Sequence, residues 1–232
     1  MNFNNEILGA LKADDFRIGN CQVIPYDRTR LDLFPPDYLF KLWKLCQTSG
    51  HRTKQGILPR LFCGMSDLSA PAIVSYLANR LVLVLGVWTS PGAFTEAGML
   101  FPTALPIMGN SEGPERAMFA GYGFFKDFWG MPELEILGML GLAYFFFTLS
   151  LSAIHGVGYA SNGTSANFMR RFGFKDIGRI PRYLLWNGRL VDALAMSLSL
   201  EDFTAFTEAK LVELLNKGEL GNGKEFGRRT GS

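Results

Sequence analysis

Two side chains in this chain are suited to exchange a proton in apolar surroundings, Glu96 and Tyr159. Glu96 stands as an isolated carboxylate in the apolar stretch 93–105, where desolvation would raise a carboxyl pKa toward neutrality and fit it to accept a proton from an amine. Tyr159 alternates with Val157 and could hand a proton to a leaving group. Each has a plainer reading as well: a salt-bridged or edge glutamate, and a core tyrosine with its hydroxyl paired. His155, at a helix-to-strand junction, reads as a satisfied structural histidine. Nucleophilic Ser-His-Asp or Cys-His catalysis finds no support, because no Gly-x-Ser-x-Gly occurs and neither histidine has the matching context. Arg170 and Arg171, beside Phe168 and Phe172, read as a solvated helix face rather than a nucleic-acid surface.

The densest local signal runs from Asn162 to Phe174. Asn162 and Ser165 suit a helix start, since short polar side chains accept the orphan N–H groups of a first turn. Phe168 and Phe172 fall on one face at i, i+4 spacing, and Gly173 supplies the left-handed residue that stops a short helix. Residues 154–160 read as a strand entering this helix, and 178–187 and 190–200 as the strands of a hairpin after it.

This strand, short helix and Gly-Phe stop resemble the C-terminal half of the GNAT N-acetyltransferase superfamily. Its spacing Asn-x-x-small-x-x-apolar-Tyr-x-x-x-Gly-Phe is matched by Asn162, Ser165, Phe168, Gly173 and Phe174, whereas Met169 stands where the family carries a Tyr that often acts as general acid. The resemblance implies acetyl-CoA as co-substrate, with Asn162 and Ser165 along the pantetheine arm. It implies a backbone N–H for the thioester carbonyl within 120–123, around Tyr122 and Gly123, where Gly121 and Gly123 would permit a bulge. It also implies a phosphate loop ahead of the central helix, whose orphan donors and positive dipole end would hold a pyrophosphate. Here that segment is Trp129, Gly130, Met131, Pro132, Glu133 and Leu134. Trp129 replaces an Arg or Gln, Pro132 replaces a Gly, and Leu134 is bulky where a small residue belongs. Glu133 and Glu135 bring carboxylates to the first turn, repelling an anion by a few tenths to about 1 kcal/mol each. Pro132 reads equally well as a simple helix-starting proline.

These residues need a scaffold, and the chain supplies apolar material for one. Its 232 residues are 48% hydrophobic and 19% charged, with 20 Phe and a formal charge of +2. That near-neutral balance gives no pull toward nucleic acid or anionic membrane. Three widely spaced cysteines and two histidines exclude a structural zinc site and fit a reducing, cytoplasmic setting. The apolar run 136–153 is long enough to span a bilayer, but it lacks flanking basic residues, and a buried central helix is the favoured reading. Helices are expected from about 36 to 46 and 68 to 79. Strands are expected over 81–88, 93–105 and 116–125, with a loop over 106–114 and a final amphipathic helix from about 199. The segment 21–25, between charged runs, is left unassigned.

The implied fold class is α/β (α+β), GNAT-like: a central mixed twisted sheet flanked by helices. Residues 1–59 would be an N-terminal helical extension packed on a core of 60–203, and 204–232 a C-terminal helix and flexible tail. The cofactor cleft requires 116–125 and 154–160 to be neighbouring parallel strands. Two functions remain open. One is acetyl transfer from acetyl-CoA to an amine acceptor, either a small molecule or a protein, entering over 35–65 and 106–114. The other is a catalytically degenerate structural or interaction module with a protein partner, virion-associated if the phage-like look of the chain is taken at face value. No metal is expected.

Overall fold

The computed structural model describes residues 16–49, 57–58, 62, 65, 67–90, 92–103, 116–186 and 189–216. The expected loop 106–114, the turn near 50–55, the first 15 residues and the tail beyond 216 lie outside the described residues. The elements are β1 (Arg17–Ile18), β2 (Cys21–Pro25), α1 (Tyr38–Thr48), α2 (Ala70–Ala78), β3 (Leu83–Ser90), β4 (Ala93–Pro102), β5 (Ala117–Phe124), a 3-10 turn (Lys126–Phe128), α3 (Glu133–Thr148), β6 (Ala153–Tyr159), α4 (Gly163–Arg171), β7 (Lys175–Trp186), β8 (Arg189–Ser199) and α5 (Leu200–Asn216). The strands form one eight-stranded sheet in the order β1-β2-β3-β4-β5-β6-β8-β7. Every neighbouring pair is antiparallel except β5 and β6, which run parallel.

The apolar run of β3 is buried on both faces, as a β-branched, aliphatic central strand should be. Alternation along the strands splits the core in two. One face carries Leu85, Leu100, Met118, Phe124 and Ile154 against α3, α4 and α5. The other carries Val84, Met99 and Phe101 against α1 and α2. α3 buries Leu137, Leu140, Ala143 and Phe146 among others, so its apolar surface is consumed by the protein itself. Among the described residues, no helix is long and apolar enough to cross a membrane.

β2 is the element left unassigned by sequence patterning. Cys21 to Pro25 pair residue by residue with Val87 to Leu83, which places this early segment inside the sheet. α3 begins at Glu133 and ends at Thr148, earlier at both ends than the apolar run suggests. Ser150 adopts a φ of 54°, so the chain turns there while remaining apolar, and Leu151 is buried in the turn.

Candidate functional site

β5 and β6 pair only through Ala117–Ala153, Met118–Ile154 and Phe119–His155. β5 then continues to Phe124 and β6 to Tyr159 without further pairing, so the sheet opens beyond Phe119 and His155. The opening is a slot roofed by α4 and floored by Leu85, Leu100 and Leu142, enclosing about 30 Å³, room for about one water. α4 is set over it by the features its sequence announces. Gly173 takes a φ of +89° and ends the helix. Phe168 and Phe172 point the same way, with ring centroids 4.9 Å apart, and Phe168 reaches Tyr122 at 6.0 Å.

Tyr122, which lines the slot, meets Ser165 of α4. The two hydroxyls share a short hydrogen bond, and the Tyr122 hydroxyl also lies 3.1 Å from the Ser165 carbonyl oxygen. Burial pushes the Tyr122 phenol up to about 12, with the Ser165 contact opposing it, so this group is a poor proton donor near neutrality. Asn162 precedes the helix and its carbonyl accepts from the Ala166 N–H at 3.2 Å, but its side chain makes no capping bond. Met169 lies over Gly156: a Cβ added there would sit 2.5 Å from the Met169 methyl.

Several expected roles change. Gly121 and Gly123 do not make a bulge, because β5 pairs with β4 in unbroken register from Gly98–Phe124 to Pro102–Ala120. Register irregularities sit instead between β3 and β4, at Leu85/Gly86 and Trp88/Ser90, and between β7 and β8, at Asp176/Gly178 and Ile180/Leu184. Glu96 is not an isolated carboxylate. It faces α1, where Lys41 Nζ lies 2.6 Å away, and its side chain is 9% exposed. Along β4 it lies roughly 20 Å, at about 3.3 Å per residue, from Thr103, the level at which β5 and β6 part, and two residues beyond Gly98, which pairs with Phe124 at the other end of the slot. Burial, then the Glu96 charge, pushes the neighbouring Tyr38 hydroxyl up. The Tyr159 hydroxyl donates to the Leu185 carbonyl at 2.8 Å and its ring meets Trp186 edge-on, which ties it to the β7–β8 hairpin.

Four backbone donors of the segment leading into α3 are spent within it. The N–H groups of Trp129, Met131, Leu134 and Glu135 bond to the carbonyls of Lys126, Phe128, Met131 and Pro132 at 3.0–3.2 Å. The Trp129 indole donates to the Phe124 carbonyl at 2.9 Å, Gly130 takes a φ of +86°, and Met131 is exposed. Glu135 does not present a bare charge. Lys210 lies 2.7 Å and Arg171 3.2 Å from its two oxygens, and the Lys210 bond, ahead of Arg171, holds the carboxyl below its ordinary range. Cys21, near Glu133, is pushed up to about 12 by burial first and that charge second, so it is no nucleophile. Among the described residues no cluster could hold a metal ion.

Glu135, Asp192 and Asp202 all have depressed folded-state pKa values, caused first by Lys210, by the Arg182 N–H and by Lys175 respectively. A depressed carboxyl stabilises the fold above its unfolded value of about 4, and that contribution disappears as pH falls through the folded value. Through these carboxyls the urea midpoint is therefore expected to fall between pH 4 and 3. A midpoint unchanged across that interval contradicts these pairings.

No known protein-family model matches this chain, and no curated protein matches it. Solved structures do. RimJ of Mycobacterium smegmatis in complex with CoA-disulfide is 19% identical, with 88% of this chain and 92% of that one covered at a TM-score of 0.60. Spermidine N-acetyltransferase from Vibrio cholerae, in complex with CoA and spermine, is 15% identical over 80% of this chain and 98% of its own at a TM-score of 0.59. The chain has the GNAT fold. A probable acetyltransferase is 19% identical over 79% of this chain at a TM-score of 0.55. The strands expected over 116–125 and 154–160 are the neighbouring parallel pair, β5 and β6.

Proposed function

We propose that this protein is an N-acyltransferase that moves an acetyl group from acetyl-CoA to an amine. The observation that carries this reading is the opening of β5 and β6 beyond Phe119 and His155, with an apolar slot under α4. Such a slot suits a pantetheine arm, and similar folds have been solved with CoA bound. Tyr122, Ser165 and Phe168 would line the arm once the Tyr122–Ser165 contact opens. The phosphate end is less well prepared, since the first-turn N–H groups of Leu134 and Glu135 are already engaged. Glu96 we assign to docking α1 on the sheet rather than to chemistry. A small primary amine is the acceptor class in keeping with the spermine bound by the Vibrio cholerae enzyme.

A second reading, a GNAT-fold scaffold without catalysis, is favoured by those same engaged donors, by Met169 in place of a tyrosine, and by the narrowness of the slot. Acetyl-CoA separates the two. A ligand at 100 times its dissociation constant adds about 2.7 kcal/mol of stability, so millimolar acetyl-CoA is expected to raise the melting temperature clearly. An unchanged melting temperature, with no heat on titration, selects the scaffold.

A further inference from the structure

Resting on the acyltransferase reading, we propose that α4 is a flap that lifts at its N-terminal end to admit the CoA arm, and that the contact between Tyr122 and Ser165 is its latch. The slot encloses about 30 Å³, room for about one water, which is far short of a pantetheine chain. One wall has to yield before the arm can enter.

The sheet and α3 are fixed walls. Leu85, Leu100 and Ile154 on the sheet and Leu142 on α3 are between 0% and 6% exposed. β5 pairs with β4 in unbroken register from Gly98–Phe124 to Pro102–Ala120, and β6 pairs with β8 along its whole length. Moving any of these elements breaks backbone ladder bonds or opens the main core.

α4 is built differently. It has nine residues, fewer than the roughly 12–15 at which an isolated helix becomes marginally stable, so it depends on what it packs against. Alone among the five helices it has no fully buried residue, and Phe168 and Met169 lie over the slot only partly covered.

Its two ends are held unequally. At the C-terminal end, Phe172 and Phe174 are 2% and 6% exposed, and Phe172 packs on Gly138 of α3 and edge-on to Phe206 of α5. Arg170 makes two hydrogen bonds to Asp176, at 3.1 and 2.8 Å, and Arg171 reaches Glu135 at 3.2 Å. Gly173, with its φ of +89°, sits among these anchors as a pivot. At the N-terminal end, the Asn162 side chain makes no capping bond, and nothing lies within 4 Å of where a Cβ would stand on Gly163. The hydrogen bond that holds this end to β5 comes from the Tyr122 hydroxyl, which meets the Ser165 hydroxyl and lies 3.1 Å from the Ser165 carbonyl oxygen. Ser161, Asn162 and Gly163 supply the slack for the lift. The motion carries Phe168 and Met169 off the slot and leaves Phe172 in the core.

Methyl NMR on labelled methionine, with the whole chain and no ligand, tests the motion. The Met169 methyl lies over Gly156, whereas Met118, Met139 and Met196 belong to the core beneath. Met169 is expected to show μs–ms exchange that these three references lack. Tyr122→Phe removes the latch hydroxyl and keeps the ring, so it should raise the open population about fivefold, as loss of one hydrogen bond implies. Ser165→Ala should act in the same direction and less, because the Tyr122 hydroxyl keeps the Ser165 carbonyl as a partner. Stopped-flow binding of acetyl-CoA should then be about fivefold faster in Tyr122→Phe than in the wild type, since only the open fraction binds. No acetyl-CoA binding by the wild type removes the acyltransferase reading and the flap's cargo with it. Acetyl-CoA binding with Met169 as free of exchange as the references in both proteins, or with a Tyr122→Phe binding rate within twofold of wild type, overturns the flap alone.

Discussion

Replacing Phe203 with alanine is expected to cost about 3–5 kcal/mol, the range for truncating a fully buried phenylalanine. Phe203 is 0% exposed, and its ring stacks on Phe146 of α3 at 4.9 Å, with Phe147 at 6.2 Å. It lies in the first turn of α5, where Asp202 receives hydrogen bonds from Ser199 and Lys175. The substitution leaves those polar contacts in place, so the loss reads packing alone. The aromatic pair joins the last helix to the central one, and truncation leaves a cavity between them. Chemical denaturation of the two proteins at one pH gives the difference. A cost under 1 kcal/mol would mean that α5 does not seal this face of the sheet.

Gly98→Ala is expected to destabilise the protein by about 3 kcal/mol, the upper end of ordinary overpacking. A methyl group at this position would meet the Gly123 carbonyl oxygen at 2.4 Å and the Phe124 ring at 2.8 Å. The first contact is with backbone, so no rotamer change relieves it, and β4 and β5 must move apart where they pair at Gly98–Phe124. That pairing sets the wall of the slot below Tyr122. The variant should therefore show a lower denaturation midpoint and a weakened acetyl-CoA thermal shift together. A variant as stable as the wild type would place β5 farther from β4 than this register requires.

Most of the scaffold could be read from local pattern. The eight-residue β3 follows from an uninterrupted aliphatic run, and α4 from a polar start, two phenylalanines at helical spacing and a glycine stop. β2 could not be read this way. Adjacent apolar Val23 and Ile24 and the closing Pro25 break its alternation, and what makes it a strand is distant pairing with Val87 to Leu83. The end of α3 misled for a related reason, since Leu151 remains apolar after the helix has stopped because the turn itself is buried.

Of the signature residues, Phe168 and Phe174 line the slot, while the Ser165 hydroxyl serves Tyr122 instead of the helix start. Glu96 looked solitary only because Lys41 lies 55 residues away in the chain. His155 looked like a satisfied core residue, and only the fold reveals that one of its ring nitrogens has no partner. Ionic and hydrogen-bond partners across elements carry no periodic trace, so a single chain cannot announce them.

Under the acyltransferase reading, Met169, which packs over Gly156 and lines the slot, would be company for the scissile sulfur. A thioether offers it dispersion contact and no hydrogen to share. Under the acyltransferase reading, the energy of C–S cleavage then falls wholly on how well the departing thiol tolerates negative charge, so acyl donors would be ranked by the intrinsic acidity of the group they shed before any recognition of the nucleotide enters.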